Sequence, residues 1–188
     1  MHCTHSDFPD PVPLFYDAAT GEASWDDALA ALTARLGGAS IMLAVASPRK
    51  PMLTAHWARQ YETHLHAEAG FSDDDIVNPD HNPDIRATLT MPVARAFDSR
   101  AFVTEEEMRR TPLFQAAMLT QEISIHHLFV AVRDAELLAG GFAAHPGGQD
   151  LDASAVRELD RVLPHIGRAL RLRGEIARCQ TLQSGLVS

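Results

Sequence analysis

The sequence predicts an α+β fold, in which helices pack on an antiparallel β-sheet and one long helix lies at the C-terminal end. Two segments rich in Ile, Leu and Val, at 39–46 and 123–133, predict strands, and each leads into a second strand-like segment. Segments with helical spacing lie before, between and after these two hairpins. Two hairpins without alternating βαβ order favour an antiparallel sheet covered by helices.

The regular structure is predicted to begin with two helices. Residues 14–19 form a short helix after a proline-containing segment, and residues 25–36 carry apolar side chains at helical spacing. Ser24 is a suitable N-cap for the second helix, and Gly37 and Gly38 are suitable for ending it.

The first hairpin is predicted to pair strand 39–46 with strand 52–57 across a loop that contains two prolines. A helix over 59–69 follows. The polar, turn-rich segment 71–83 predicts a mobile loop over a binding site.

Short helices are predicted between the two hairpins. The first covers 85–91. The second begins at a capping box, with Thr104 as the cap and Glu107 reaching back, and ends at Arg110. A third starts at a proline and covers 112–119.

The second hairpin is predicted to join strand 123–133 to strand 136–145 through a turn at 134–135. Gly140 and Gly141 inside the second strand indicate a bulge or a close approach of another backbone.

The last predicted helix covers 153–179 and holds six arginines against three acidic residues, in a chain of net charge −9. Pro164 should break or bend it, because proline removes one backbone hydrogen bond. We expect a sensor domain over 1–151 and a signalling or dimerisation helix over 152–182 that packs on it. The apolar residues of this helix recur at 3-4-3-4 spacing and suit a seam in a homodimer or packing within the chain, and they are Leu159, Leu163, Ile166 and Leu170.

Composition limits the classes of function. A net charge of −9 argues against nucleic-acid binding, which needs a basic face. The longest apolar run is too short to span a bilayer, no secretory signal is visible, and a cytoplasmic location is expected. Two cysteines near opposite ends support neither a disulfide framework nor a zinc site.

The sequence contains no nucleotide-binding or hydrolase motif, so no enzyme and no cofactor are predicted. His64 and His66 point different ways on a helix, and no motif places a third metal ligand. His126 and His127 lie on opposite faces of the predicted strand 123–133. Both faces are apolar, so at least one of the two histidines should be buried, either hydrogen-bonded in the core or lining a pocket. A metal or haem sensor or a small enzyme built on these histidines is the alternative.

A small apolar or aromatic ligand is predicted to bind between the sheet and the helical insert 59–119. Aromatic and histidine side chains could line this pocket, because such sites are apolar with few polar groups, and the candidates are Trp57, Tyr61, His64, Phe114, His126 and Phe129. A structural module without any ligand is a further alternative.

The order of elements is that of small sensor domains of the PAS and GAF type. Five segments together resemble the N-terminal regions of bacterial transcriptional regulators of the LuxR type, and they are 15–19, 25–32, 82–86, 107–115 and 163–173. The resemblance implies a regulatory, signal-sensing domain upstream of a DNA-binding module. No helix-turn-helix lies within these 188 residues, so DNA contact is expected only through such a module outside them.

Overall fold

The computed structural model describes residues 8–47, 52–59, 70, 72, 78–115, 126–145 and 149–185. Its helices are α1 (Pro11–Thr20), α2 (Trp25–Arg35), α3 (Pro83–Thr88), α4 (Glu105–Arg110), α5 (Pro112–Phe114) and α6 (Ala153–Gly185). Its strands are β1 (Ser40–Ser47), β2 (Met52–Arg59), β3 (Arg95–Asp98), β4 (His127–Arg133) and β5 (Leu138–Ala144). The predicted α+β class is confirmed. A closer likeness to PAS or GAF domains stays a prediction.

The helices begin where polar side chains accept hydrogen bonds from free backbone N–H groups. Ser24 caps α2 by accepting from the N–H of Asp27 at 3.0 Å. Thr104 caps α4 by accepting from the N–H of Glu107. The Glu107 carboxylate instead pairs with Arg86 on α3, so it serves a tertiary contact.

The five strands form one antiparallel sheet in the order β2-β1-β5-β4-β3. Strand β3 is absent from the sequence-based assignment, because four residues without apolar alternation give no strand signal. It is a short edge strand, and the Asp160 carboxylate on α6 accepts from the outward N–H of Ala96 at 2.7 Å. Strand β2 runs through Arg59, two residues beyond its predicted end. The rest of the predicted helix 59–69 lies outside the described residues, as do residues 71 and 73–77 of the predicted loop 71–83.

Both interpretations of the paired glycines hold in the sheet. A Cβ on Gly141 would lie 1.8 Å from the Met42 carbonyl oxygen, and one on Gly140 would lie 2.6 Å from the Phe129 carbonyl oxygen. The register of β4 against β5 also shifts, leaving Ala131 as an extra residue. The glycines therefore allow close strand contact beside a bulge.

The sheet has two apolar faces. One, here called the α6 face, packs on α1, α2 and α6 through a core that includes Leu29, Ile41 and Phe129. The other, here called the α3 face, carries a separate cluster that joins Leu128 and Val130 of β4 to α3, α4 and α5. The prediction that β4 is covered on both sides is therefore confirmed by burial.

Helix α6 runs without a break from residue 153 to residue 185, through Pro164. Gly167 lets it approach the sheet, because a Cβ there would lie 2.5 Å from the Ala131 carbonyl oxygen. Ion pairs link it to α2 through Arg35 and Glu158 (2.5 Å) and to the start of α1 through Arg161 and Asp10 (2.8 Å). No helix among the described residues is both long and apolar enough to cross a membrane.

The four residues predicted as a dimer seam, Leu159, Leu163, Ile166 and Leu170, lie in the core of the α6 face and are at most 5 % exposed. The proposed seam is therefore wrong, and packing within the chain is the correct alternative. The same 3-4-3-4 spacing serves either purpose, so only the tertiary contacts distinguish them.

Candidate functional site

The α3 face differs chemically from the α6 face. Every methionine whose side chain the structure describes lies in its cluster: Met42 on β1, Met91 after α3, and Met108 on α4. Methionine is flexible and polarizable, and it fills irregular spaces and adapts to different contacts. Three of them on one face make that face more adaptable than the opposite one, which is packed with leucine and alanine.

Hydrogen bonds fix both ends of helix α3 and hold it beside β4. Asn82 caps it by accepting from the N–H of Asp84 at 3.1 Å. At its other end Arg133 donates to the carbonyl oxygens of Thr88 and Met91, at 2.8 and 3.0 Å. These contacts place the first turn of α3 over the start of β4.

That arrangement brings Asp84 to His126, which immediately precedes β4. The His126 Nε2 atom lies 3.0 Å from Asp84 Oδ2, and the histidine is fully buried. Its ring meets the ring of Phe142 edge-on, with centroids 5.7 Å apart. The histidine of this pair is thus buried, where hydrogen bonds are strong and unpaired polar atoms are costly, while the Asp84 side chain is 18 % exposed.

Two atoms of this pair have no hydrogen-bond partner in the described parts of the chain, His126 Nδ1 and Asp84 Oδ1. Ser99 Oγ, directly after β3, is another buried atom without a partner among the described residues. The Ser99 N–H donates to the His126 carbonyl oxygen at 2.9 Å, so Ser99 and His126 are cross-strand neighbours. Three further buried atoms without a partner among the described residues, Trp25 Nε1, Thr33 Oγ1 and His127 Nδ1, lie away from this face. Asp84, His126 and Ser99 are therefore the polar part of the α3 face, and unsatisfied atoms are not peculiar to it.

The predicted pocket residues do not come together. Phe114 and His126 lie on the α3 face, whereas Phe129 and Trp57 pack on the α6 face. The sheet separates the two pairs, so a single pocket lined by all of them is wrong. Strand alternation sends Phe129 to the face opposite His126. The other two candidates, Tyr61 and His64, lie outside the described residues.

Trp57 has a packing role at the edge of the sheet. It stacks on Trp25 of α2, with ring centroids 4.7 Å apart. The Arg173 guanidinium of α6 lies over its ring, 5.1 Å from the centroid. This cation–π contact holds α6 where the helix leaves the body of the protein.

His127 lies on the opposite side of the sheet from His126 and pairs in register with Asp98. Burial lowers the pKa of His127, while the carboxylates of Asp98 and Asp150 act in the opposite direction. A hydrogen bond from the Arg100 guanidinium lowers the pKa of Asp98. Arg100 also reaches Asp150, 3.2 Å away, so this cluster joins the end of β3 to the segment before α6.

No group of three or more histidine, cysteine, aspartate or glutamate side chains able to hold a metal ion is found within the described ranges. An exposed groove of about 500 Å³ on α4 is lined by Glu105, Glu106, Arg109 and Arg110. These residues form two ion pairs at four-residue spacing, so they satisfy one another.

Sequence reasoning missed the residues that define the polar part of the α3 face. Asp84 and Met108 lie in two of the segments that resemble LuxR-type regulators, but nothing in those segments marks either residue as part of a site. Ser99 belongs to no motif, and Met91 lies in a short segment with weak periodicity. A buried histidine was expected at 126 or 127, and both are buried. The pairing of His126 with Asp84 spans 42 residues, which no local pattern can indicate.

No protein-family model and no curated protein sequence match this chain. Among solved structures, it is similar to CepR2 from Burkholderia cenocepacia, an N-acylhomoserine lactone-dependent transcription factor of the LuxR family. The TM-score is 0.51 with 12 % sequence identity, over 86 % of this chain and 91 % of that one. At this identity the likeness shows a shared fold. The sequence resemblance to LuxR-type regulators therefore agrees with the fold found independently.

Proposed function

We propose that this chain is a non-catalytic, ligand-sensing regulatory domain of a bacterial transcriptional regulator of the LuxR type. A small apolar or aromatic ligand binds on the α3 face of the sheet, and helix α6 on the opposite face carries the response. The observation that carries this proposal is the difference between the faces. One is packed mostly with leucine and alanine, and the other combines three adaptable methionines with the hydrogen-bonded pair of His126 and Asp84.

The route for a response follows from strand β4, which belongs to both clusters. Leu128 and Val130 contact the α3 face, while Phe129 and Ala131 contribute to the α6 face. Gly167 of α6 sits directly against Ala131, with no room for a Cβ. A ligand that shifts β4 by a few tenths of an ångström must therefore move α6 or strain it, because packed interiors transmit displacements.

A regulatory domain of this kind must pass its response to another part of the regulator, and we assign this role to helix α6. Beyond Leu170 the helix is exposed over most of its length. We assign homodimer formation to this exposed part, because the residues predicted earlier as a seam are buried in the chain. DNA contact is not assigned to this domain, since a net charge of −9 opposes phosphate binding.

The proposal is tested by screening one-ring aromatic and short alkyl compounds against protein labelled with 13C at the methionine methyl groups. Met42, Met91 and Met108 report on the α3 face without any engineered probe. We expect compounds that raise the melting temperature to shift these methyl signals. A ligand at 100 times its Kd should add about 2.7 kcal/mol of stability.

Two substitutions of matched chemistry separate ligand binding from general destabilisation. Phe142→Leu alters the α3 face and Phe129→Leu alters the α6 face, and both residues are buried on neighbouring central strands. Each should lower stability by a similar amount, on the order of 1–2 kcal/mol. Only Phe142→Leu should weaken ligand binding. Equal weakening by both, or hits that leave the three methyl signals unmoved, would reject the proposed ligand face.

A further inference from the structure

Four charged or titratable side chains meet where β3 ends and where the chain enters α6. They are Asp98, Arg100, His127 and Asp150, here called the Arg100 cluster. The Arg100 guanidinium donates from Nε to both carboxylate oxygens of Asp98 at 2.9 Å, and from Nη2 to Asp150 at 3.2 Å. His127 lies directly opposite Asp98 in the register of β3 and β4. Opposed residues of an antiparallel pair project to the same face, so the imidazole lies beside this ion pair.

The cluster connects the sheet to the segment 149–152, which leads into α6. Asp150 lies two residues before Asp152, whose carboxylate caps α6 by accepting from the N–H of Ala155 at 2.7 Å. Leu151, between the two aspartates, is buried in the core of the α6 face. The segment is therefore held by a buried leucine and by the ion pair of Asp150, and the cap of α6 belongs to it.

A proton on His127 would disturb this arrangement. The side chain lies in a residue that is 8 % exposed, and its Nδ1 has no partner among the described residues. A protonated imidazole has two N–H donors and a positive charge, and a buried charge without a partner is costly. Both oxygens of Asp98 already accept hydrogen bonds from Arg100. The charged ring must therefore either displace Arg100 from a carboxylate or gain contact with water.

The groups around the ring favour its neutral form while the segment is in place. Burial is the main cause that lowers the pKa of His127, and the charges of Arg100 and His126 act in the same direction. Asp98 and Asp150 act against them and raise this pKa. Because burial dominates, a conformation in which water reaches the ring takes up a proton more readily.

The strand on the other side of His127 adds no charge at this position. There His127 is opposite Ala143 of β5. His145 follows two residues later, and its ring lies near Gly37, where an added Cβ would be 3.5 Å from the imidazole Cε1. His145 therefore provides a control for the titration of another histidine at the same end of the sheet.

We propose that the Arg100 cluster is a proton-operated latch on α6, in which protonation of His127 detaches residues 149–152 from the end of β3 and opens the first turn of the helix. Acidification is then a second input to the helix that carries the response. The latch itself does not depend on the ligand face. Its regulatory meaning rests on the role that the proposed function gives to α6.

Amide hydrogen exchange in the first turn of α6 tests the latch. The N–H groups of Ala155 and Val156 are bonded to Asp152, so they exchange when this turn opens. We expect their protection, corrected for the intrinsic effect of pH on exchange, to fall between about pH 7.5 and 5.5. The fall should be several-fold and at most about ten-fold, which is the limit for a histidine whose pKa in the open conformation is about 6.5.

Urea separates this local opening from global unfolding. A local opening exposes little surface, so the exchange of Ala155 and Val156 should respond weakly to low concentrations of urea. Leu43 lies in β1, which pairs with a strand on each side, and its amide should exchange through global unfolding with a steep response.

Variants assign the pH effect to the cluster. His127→Gln should remove it, and the matched control His145→Gln should keep it. Arg100→Gln should lower the protection of the first turn already at about pH 7.5, because it cuts the link to Asp150. Arg109→Gln removes an exposed guanidinium from an ion pair on α4 and should leave the exchange of α6 unchanged. If His127→Gln fails to fold, Arg100→Gln still tests the latch.

Three results would overturn the latch. They are a protection of Ala155 and Val156 that does not change with pH, a fall that persists in His127→Gln, and wild-type protection in Arg100→Gln. An equally steep urea response of Ala155 and Leu43 would also overturn it, because the opening would then be global. None of these results bears on the ligand face, which the methionine methyl signals test separately.

Discussion

His126 and His127 are neighbours in the chain, yet the sheet gives them different surroundings. The His126 ring lies on the α3 face and bonds to Asp84. The His127 ring lies beside Asp98 at the other face, where burial lowers its pKa. The sequence analysis correctly predicted that these two side chains point to opposite faces of the sheet, because side chains alternate along a strand. It could not indicate which carboxylate each histidine would meet.

The lowered pKa of His127 predicts a stability that depends on pH. Unfolding returns the imidazole to a pKa of about 6.5, so the unfolded chain binds more protons at mildly acidic pH. The contribution of His127 is thus complete above about pH 6.5 and is lost as the pH falls through its lowered value in the folded protein. We expect the free energy of unfolding, measured by urea titration, to fall between about pH 7.5 and 5.5.

Replacing this histidine should flatten the pH profile. His127→Gln cannot take up a proton, so the free energy of unfolding should change less over the same interval. The matched control is His56→Gln at an exposed position of β2, which should keep the wild-type slope. The lowered pKa values of Asp98 and Glu158 affect stability only below about pH 5, outside this window. Equal slopes in wild type and His127→Gln would contradict the assignment.

Helix α6 shows how one element combines several local requirements. Its apolar stripe fills the core, and Gly167 lets its backbone touch β4. Ion pairs from Arg171 to Asp134 and from Arg178 to Glu136 connect its exposed part to the turn between β4 and β5. Such surface pairs are individually weak, so they orient the helix more than they stabilise the fold.

Two glycines of α6 provide a matched test of the helix–sheet contact. Gly167→Ala introduces a methyl group 2.5 Å from a carbonyl oxygen, so we expect a loss of about 1–3 kcal/mol in the free energy of unfolding. Gly174→Ala in the same helix meets nothing within 4 Å and should gain up to about 1 kcal/mol through helix propensity. Chemical denaturation of both variants measures the difference. A stabilised Gly167→Ala would mean that α6 does not lie as close to β4 as described.

At the scale of the whole molecule, the sheet divides the protein into a rigid half and an adaptable half. The rigid half holds α6 and its leucines, and the adaptable half holds the three methionines and the His126–Asp84 pair. The exposed end of α6 extends from the rigid half. It carries Leu172, Ile176 and Cys179 at 4-3 spacing, which places them on one stripe.

This stripe predicts where a homodimer would form. Ile176→Glu should convert dimers into monomers in multi-angle light scattering, because a charge in an apolar seam is costly. Thr181→Glu, on a different side of the helix, should leave the mass unchanged. In a Cys3→Ser background, mild oxidation should link two chains through Cys179, which is an exposed thiol. A monomeric wild type would reject the dimer, and a dimer unaffected by Ile176→Glu would reject this seam.

Replacing a leucine of the buried stripe of α6 should have a different effect from replacing Ile176 of the exposed stripe. Leu163 is fully buried in the core of the α6 face. Leu163→Glu is expected to unfold the chain, because the free-energy cost of burying an unpaired charge exceeds the free energy of unfolding of most domains. Circular dichroism distinguishes this result from the formation of folded monomers, which a dimer seam would have produced.

Prediction from the sequence succeeded where structure depends on residues a few positions apart. The caps at Ser24 and Thr104, the turn after Arg133 and the long amphipathic helix all follow from local spacing. It failed for strand β3, whose four residues are held by pairing with β4 and by Asp160. The residues of the candidate site were not predicted for the same reason. They come from three separated segments, which only tertiary contacts bring together.

The sequence by itself determined the α+β class, the two hairpins and the amphipathic character of α6, because local propensity and periodicity act within a few residues. Only the tertiary structure decided that the leucines of α6 face the sheet of their own chain and that Trp57 and His126 lie on opposite faces. It alone brought Asp84 and Ser99 to His126. These outcomes depend on strand order, register and helix docking, which join residues far apart in the chain through burial and backbone pairing.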